Sequence, residues 1–335
     1  MSSKRKIVRH ALTRRSLLAG GAAGMLVAMG GGASHAQSFP SGPVKIVVAV
    51  GPGSSPDVIG RIVADQLTRI WGQQALIINQ PGASGGIAIR AVGHAAPDGH
   101  TLYLALATNF IALPETQANL PFDVARDFVP IGFIGEQPML IAASPALGVN
   151  TINELIVYAK KHAGELNVAA GNRGSILHFT AEWLRTAIGV DMTLLHYPGA
   201  PAAIADVLGG RVQLMVDAAS SIRGAIDSGK IKPLAIASLR RAANFPNLPT
   251  VAETIPGFEG IGWLALVAPP GTPRPIAQKI SDDLRTVVLH PEVKDRLADL
   301  GTYVRPMSPA ELTSFIRDQQ KIWRPVIAET AKKLK

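Results

Sequence analysis

The chain has 335 residues, a net charge of +9 and no cysteine. Six of its basic residues and no acid fall in the first 36 residues, so without that stretch the charge drops from +9 to +3. A nucleic-acid footprint is therefore not implied, and aromatic residues at 5% are too scarce to stack bases. The missing thiols exclude disulfides, thiolate metal sites, cysteine nucleophiles and a lipid-modified cysteine.

Residues 1–36 read as an export signal. Lys4, Arg5, Lys6, Arg9, Arg14 and Arg15 precede a Gly/Ala-rich apolar stretch that runs to Met29, and the small-residue site "ASHA" ends at Ala36. Arg14-Arg15 followed by a serine and two leucines resembles a twin-arginine signal. A general secretory signal that carries two arginines is the alternative. The apolar segment is short for a membrane span. Cleavage after Ala36 would release a periplasmic protein that is soluble and not lipid-anchored.

Beyond the signal, strand-like and helix-like runs alternate. Strands are predicted at 45–50, 75–79, 101–107, 139–144, 167–170, 192–196, 214–217, 234–238 and 264–268, with helical stretches between most of them. This alternation predicts an α/β protein with mostly parallel sheets. Proline and glycine punctuate the joins in "NQPGASGG", "APDGHT", "HYPGAP" and "APPGTP". From Thr272 the chain is helical and charged and reads as a closing layer.

The first join, "VGPGSSPD", has the form of an anion cradle: an apolar strand, a small-residue loop, then a helix start. It lacks the third glycine of a dinucleotide fingerprint and the lysine of a nucleotide-triphosphate loop. Ser55 is expected to cap the helix, with Pro56 at its first position and Asp57 in its first turn. An ordinary strand-to-helix connection is the plainer alternative.

Nine blocks in order carry a resemblance that spans the chain after the signal: "VGPGSSPDVIGRIVADQL", "INQPGASGG", "AAPDGHTL", "LPFDVARDFVPI", "LNVAAGNRGSILHFTAEWL", "YPGAPAAIADVLGGRVQLMVD", "GKIKPLAIAS", "FPNLPTVAET" and "LVAPPGTP". Together they resemble the Bug-type extracytoplasmic solute receptors, the substrate-binding proteins of tripartite tricarboxylate transporters. The resemblance implies a two-lobed periplasmic-binding-protein type II fold, a Venus flytrap. Lobe 1 would hold residues 37–140 plus 263–335 and lobe 2 residues 141–262, with crossings near 139–144 and 263–268. It also implies a non-enzymatic carrier: a monomer that captures a small organic acid, a mono- or dicarboxylate, and delivers it to integral membrane permease subunits without a cofactor. A receptor of the same fold that reports its ligand to a membrane sensor kinase is the alternative role.

The matching blocks imply a ligand site. From lobe 1 it would include Gly53, Ser54, Ser55 and Asp57, then Ala83, Ser84, Gly85 and Gly86, then Thr108 and Asn109. From lobe 2 it would include Asn172, Arg173, Ser175, Tyr197, Gly199, Ala200 and Asp217, with Trp263 at the junction. Asp57 reads as a capping residue more than a contact. Asp217 would either hold a ligand ammonium group or bond loop amides. Arg173 would pair with a second carboxylate and favour a dicarboxylate, or stand at a solvated rim. His178 reads as a packed structural histidine. Pro56 removes one N–H donor, which the Ser54 or Ser55 hydroxyl would replace.

"GASGG" also matches G-x-S-x-G, which would make Ser84 a hydrolase nucleophile, with Asp217 and His290 in the required order. Gln80 and Pro81 intervene between strand and serine, against that reading. The histidines after the signal lack zinc-site spacing, so no metal is expected.

Overall fold

The computed structural model describes residues 39–117 and 120–333. The export signal and its cleavage site lie outside the described residues. Nine strands form one continuous network in two regions. β1 (Val44–Val48), β2 (Ala75–Asn79), β3 (Thr101–Leu106) and β9 (Ile261–Ala268) belong to the first. β5 (Asn167–Ala170), β6 (Thr193–His196), β7 (Leu214–Ala218) and β8 (Lys232–Ile236) belong to the second. β4 (Val129–Ala143) belongs to both. Its residues 129–138 pair with β9, and from Met139 to Ala143 it pairs with β7 and β8.

This register locates the two passages between the regions. The handover in β4 falls at Pro138–Met139. Ile261–Ala268 pairs wholly inside the first region, so the return passage precedes Ile261. The parallel pairing expected for most of the sheet is found in β1–β2, β1–β3, β5–β6 and β5–β7. Every pair that involves β4 or β9 is antiparallel. The sheet is thus mixed.

Strand parity explains the near-continuous apolar runs. Val44, Ile46, Val48, Leu264, Leu266 and Ala268 face a core built with α1 (Ser55–Trp71), α10 (Arg274–Leu289) and α11 (Pro291–Asp299). Their neighbours Val47, Tyr103, Ala105, Trp263, Ala265 and Val267 face another, built with α2 (Gly86–Gly93), α3 (Ala107–Ile111) and α12 (Pro309–Lys333). A strand buried on both faces has no polar side to alternate with. Two short helices, α4 (Leu113–Thr116) and α5 (Val124–Asp127), complete this region. The second region repeats the arrangement with α6 (Ile152–Lys161) and α7 (Ile176–Ile188) on one face, and α8 (Ala200–Leu208) and α9 (Ala219–Asp227) on the other. From Phe39 on the chain forms one compact unit. α12 bridges the regions, with Trp323 set edge-on to Trp183 of α7 at 5.5 Å between ring centroids.

A second join lies beside the β4 handover. Glu136 and Tyr303 exchange backbone hydrogen bonds of 3.0 and 2.8 Å. A Cβ at Gly135 would sit 2.9 Å from the Tyr303 carbonyl oxygen, which that pairing holds in place. Gly135→Ala is therefore expected to destabilise by about 1–3 kcal/mol. Gly224, inside α9 with open space around it, should stabilise by up to about 1 kcal/mol on conversion to alanine. Urea unfolding midpoints at unchanged slope check both signs.

Candidate functional site

A cleft of about 630 Å³ opens between the two regions. The first region contributes 51–56, Val58, Gln137 and Leu300. The second contributes 169–172, 175–177, 197–201 and 215–218, with Met139, Ala203, Ser220 and Ser221. Of the predicted residues, Gly53, Ser54, Ser55, Asn172, Ser175, Tyr197, Gly199, Ala200 and Asp217 come together on its wall.

Four helices begin at this wall. Ser54 precedes α1, Ser175 precedes α7, Gly199 precedes α8 and Ala218 precedes α9. The first N–H groups of a helix have no partner within it and carry about half a positive charge. Only α7 has a side-chain cap, the Ser175 hydroxyl that accepts from the His178 N–H at 3.2 Å. α1 begins at Ser55, the residue expected to cap it, so the cap position falls one residue earlier, on Ser54. The Ser54 hydroxyl turns away to donate to the Gly51 carbonyl at 2.7 Å, leaving the helix uncapped by a side chain. Asp217 is the one ionisable carboxylate on the described lining, and no Lys, Arg or His shares it.

The two sides touch directly. Ser55 Oγ accepts from Gln137 Nε2 at 2.7 Å and from Ser220 Oγ at 3.0 Å. Asn244 Nδ2 donates to the Ala298 carbonyl at 3.1 Å, and the Tyr303 hydroxyl donates to Asn244 Oδ1. Sequence reasoning missed Gln137 and Ser220. Gln137 had a signal, an amide inside an otherwise apolar strand. Ser220 had only its place after Asp217.

The other predicted residues lie off this wall. Asp57 is buried and engaged on both oxygens: Oδ2 accepts from the Gly53 N–H at 2.8 Å, and Oδ1 from Arg61 Nη2 at 2.9 Å and Asn79 Nδ2 at 2.8 Å. Burial alone would push its carboxyl up, but these bonds outweigh burial and hold it below the usual carboxylate range. Thr108 and Asn109 are buried. Asn109 accepts from the Tyr103 hydroxyl and the Leu106 N–H, and donates to the Ser84 carbonyl at 3.3 Å. It thereby braces a loop in which Gly82, Ala83, Ser84 and Gly85 all have positive φ, with Gln117 holding the Ala83 carbonyl. A Cβ at Gly85 would meet Asn109 Nδ2 at 2.5 Å, so glycine is needed there twice over, for its φ of 107° and for the contact. Gly86 opens α2 behind this loop. Trp263 is buried among Phe110, Phe133 and Phe315. Arg173 is exposed on its turn. Among the described residues no histidine bonds the Ser84 hydroxyl, so the nucleophile–base pair of a hydrolase is not assembled.

Two histidines support the 171–175 loop from behind. His178 Nδ1 accepts from the Gly174 N–H at 3.1 Å, and His196 Nδ1 lies 2.9 Å from the Gly171 carbonyl. Burial pushes His178 down to about 4, with the charges of His196, Arg173 and Arg185 adding. Burial pushes Asp217 up to about 6, against hydrogen bonds from the Ala218 N–H and Ser221. The two act oppositely on stability. The unfolded chain binds the His178 proton more readily, so this term strengthens the fold as pH rises from about 4 to 6.5. The folded chain binds the Asp217 proton more readily, so its term is full below 3.8 and is lost as pH rises through about 6. In thermal melts from pH 4 to 8, His178→Gln should remove the first slope. Asp217→Asn should remove the second and raise the melting temperature at pH 8.

Comparison with known proteins agrees with this architecture. Residues 59–331 match the tripartite tricarboxylate transporter family receptor. Protein BugT of Bordetella pertussis is 30% identical over 316 residues, covering 93% of this chain and 97% of BugT. MatC from Rhodopseudomonas palustris with bound malate is 31% identical with a TM-score of 0.78, covering 86% of this chain and 100% of MatC. R. palustris Rpa4515 with adipate is 28% identical with a TM-score of 0.81, covering 88% of this chain and 98% of that one. With its two sheet regions flanking a cleft of helix N-termini, the chain belongs to the tripartite tricarboxylate transporter receptor family and has the two-lobed periplasmic-binding fold of those receptors.

Proposed function

We propose that this protein captures a small organic carboxylate in the cleft and delivers it to the integral membrane subunits of a tripartite tricarboxylate-type permease. The observation that carries this reading is the convergence of four helix N-termini on a wall without a basic side chain. Such a wall offers oriented N–H donors and positive partial charge, which suit a carboxylate. Binding chemistry is present and catalytic chemistry is not required of any lining residue. The malate and adipate held by the two R. palustris relatives support the same ligand class.

In this reading the two regions are the lobes of a clamp, divided at Pro138–Met139 and again just before Ile261, and the ligand closes them about the β4 handover. The contacts of Ser55 with Ser220 and of Asn244 with Ala298 are then closed-state contacts. The protein acts as a periplasmic monomer, exported by its twin-arginine-like signal and freed by cleavage after Ala36. In this reading no metal or cofactor takes part.

A melting screen of mono- and dicarboxylates tests the binding step. A ligand at 100 times its dissociation constant should add about 2.7 kcal/mol of stability, and it should shrink the radius of gyration in small-angle scattering. Failure of every small carboxylate to shift the melt would reject the proposal. Arg173→Ala should change affinity by less than about 1 kcal/mol, mostly at low salt, as expected for an exposed charge.

A further inference from the structure

The helix termini account for an anion. They leave Asp217 unexplained, a carboxylate on the wall of a cleft meant for another carboxylate. Asp217 is 7% exposed and sits at the end of β7, paired in register with Leu140 and directly ahead of α9. Its Oδ1 accepts from the Ala218 N–H at 2.7 Å, and Ser221 supplies a second hydrogen bond. An ionised carboxylate has about four acceptor positions, so two of these remain for the cleft. No cation faces it. The lining has no Lys, Arg or His, and its other titratable group, Tyr197, donates its hydroxyl to Asp206 at 2.7 Å. Arg211 on the neighbouring element is engaged with the same Asp206. Arg223 of α9 is engaged with Asp227.

A buried carboxylate without a counter-charge destabilises the fold unless something else meets it. A plain carboxylate ligand makes matters worse, since it brings a like charge into the same cleft. A ligand that carries a hydrogen-bond donor near its carboxylate reverses the sign. We infer that Asp217 selects ligands bearing an ammonium or hydroxyl donor on the carbon skeleton, so that the substrate class is amino or hydroxy acids and not unsubstituted acids. The inference rests on the carboxylate reading above and adds the second pole of the ligand. A charged donor to a carboxylate makes a stronger bond than a neutral one, so the expected order is amino above hydroxy above unsubstituted.

Two matched series test it by calorimetric titration on the full exported protein: succinate, malate and aspartate, and butanoate with its 2-hydroxy and 2-amino forms. In the wild type the donor-bearing members should bind at least tenfold more tightly than the parent acid of the better series. In Asp217→Asn the amino member should lose its lead over the hydroxy member, since the amide oxygen still accepts a hydrogen bond from either donor but no longer pairs with a charge. Asp217→Ala should lose both advantages, and the unsubstituted acid should bind either variant more tightly than it binds the wild type. Because the free carboxyl titrates near 6, wild-type affinity for the amino member should fall roughly tenfold from pH 8 to pH 5, and that of Asp217→Asn should stay flat. Melting curves of the unliganded variants show that they are folded. Equal affinities across a series, or a donor preference that survives in Asp217→Ala, would overturn the inference and leave the carboxylate reading intact. If no member of either series binds, both fall together.

Discussion

An anion taken from water into a cleft must meet positive charge or oriented donors, and here no basic side chain is available for that task. The wall is made of Gly, Ala, Pro, Ser and apolar residues, with Gln137, Asn172, Tyr197 and one buried acid. The positive potential has to come from the backbone, and a backbone supplies it only at helix starts or in turns with positive φ. Much of the architecture follows. Helices α1, α7, α8 and α9 must all start at the cleft, so the strands before them must all end there. Parallel β–α units achieve this, because each strand delivers the following helix to the same edge of the sheet.

The constraint also explains what surrounds the wall. A loop of small residues at the end of β1 lets the backbone approach a ligand, and Asp57 fixes that loop from within by taking the Gly53 N–H and the Arg61 guanidinium. The strained 82–85 loop is held by Asn109 and Gln117, and the 171–175 loop by a neutral His178. In each case a polar side chain behind the loop bonds its main chain, which is left in a defined shape. β4 then runs unbroken from one region to the other, the return passage before Ile261 is the second link, and Gly135 packs close against the Tyr303 segment beside the handover. A hinge built this way has few soft positions, and the residues that flank it are packed.

All nine strands were legible from apolar runs and punctuation, because both-face burial leaves a strong signal. The direction of β4 and β9 was not, since an apolar run reads the same whichever way its neighbour runs. The first half of β4 escaped too: Gly132, Gly135 and Pro130 interrupt its pattern, and the glycines are there for close approach to Leu284 and Tyr303. For the site, residues at strand ends before helices were found because the Gly-Pro-Ser joins mark them. Asp57, Thr108, Asn109 and Trp263 carry the same residue types and stand next to the same joins, yet they point into the protein. Sequence spacing gives the join and not the direction of a side chain, and Asn109 and Asp57 use up their polar atoms on backbone and on Arg61 and Asn79.

The central claim is that main-chain N–H groups at the helix starts hold the carboxylate. Amide chemical shifts in a nitrogen-labelled sample, titrated with the tightest-binding acid from the melting screen, test it residue by residue. The account predicts that the amides of Ser55 and Asp57, of Ala200, and of Ala219 and Ser220 move downfield together and saturate at one dissociation constant. Saturable shifts centred on Arg173, with the amides at these three helix starts unmoved, would contradict it.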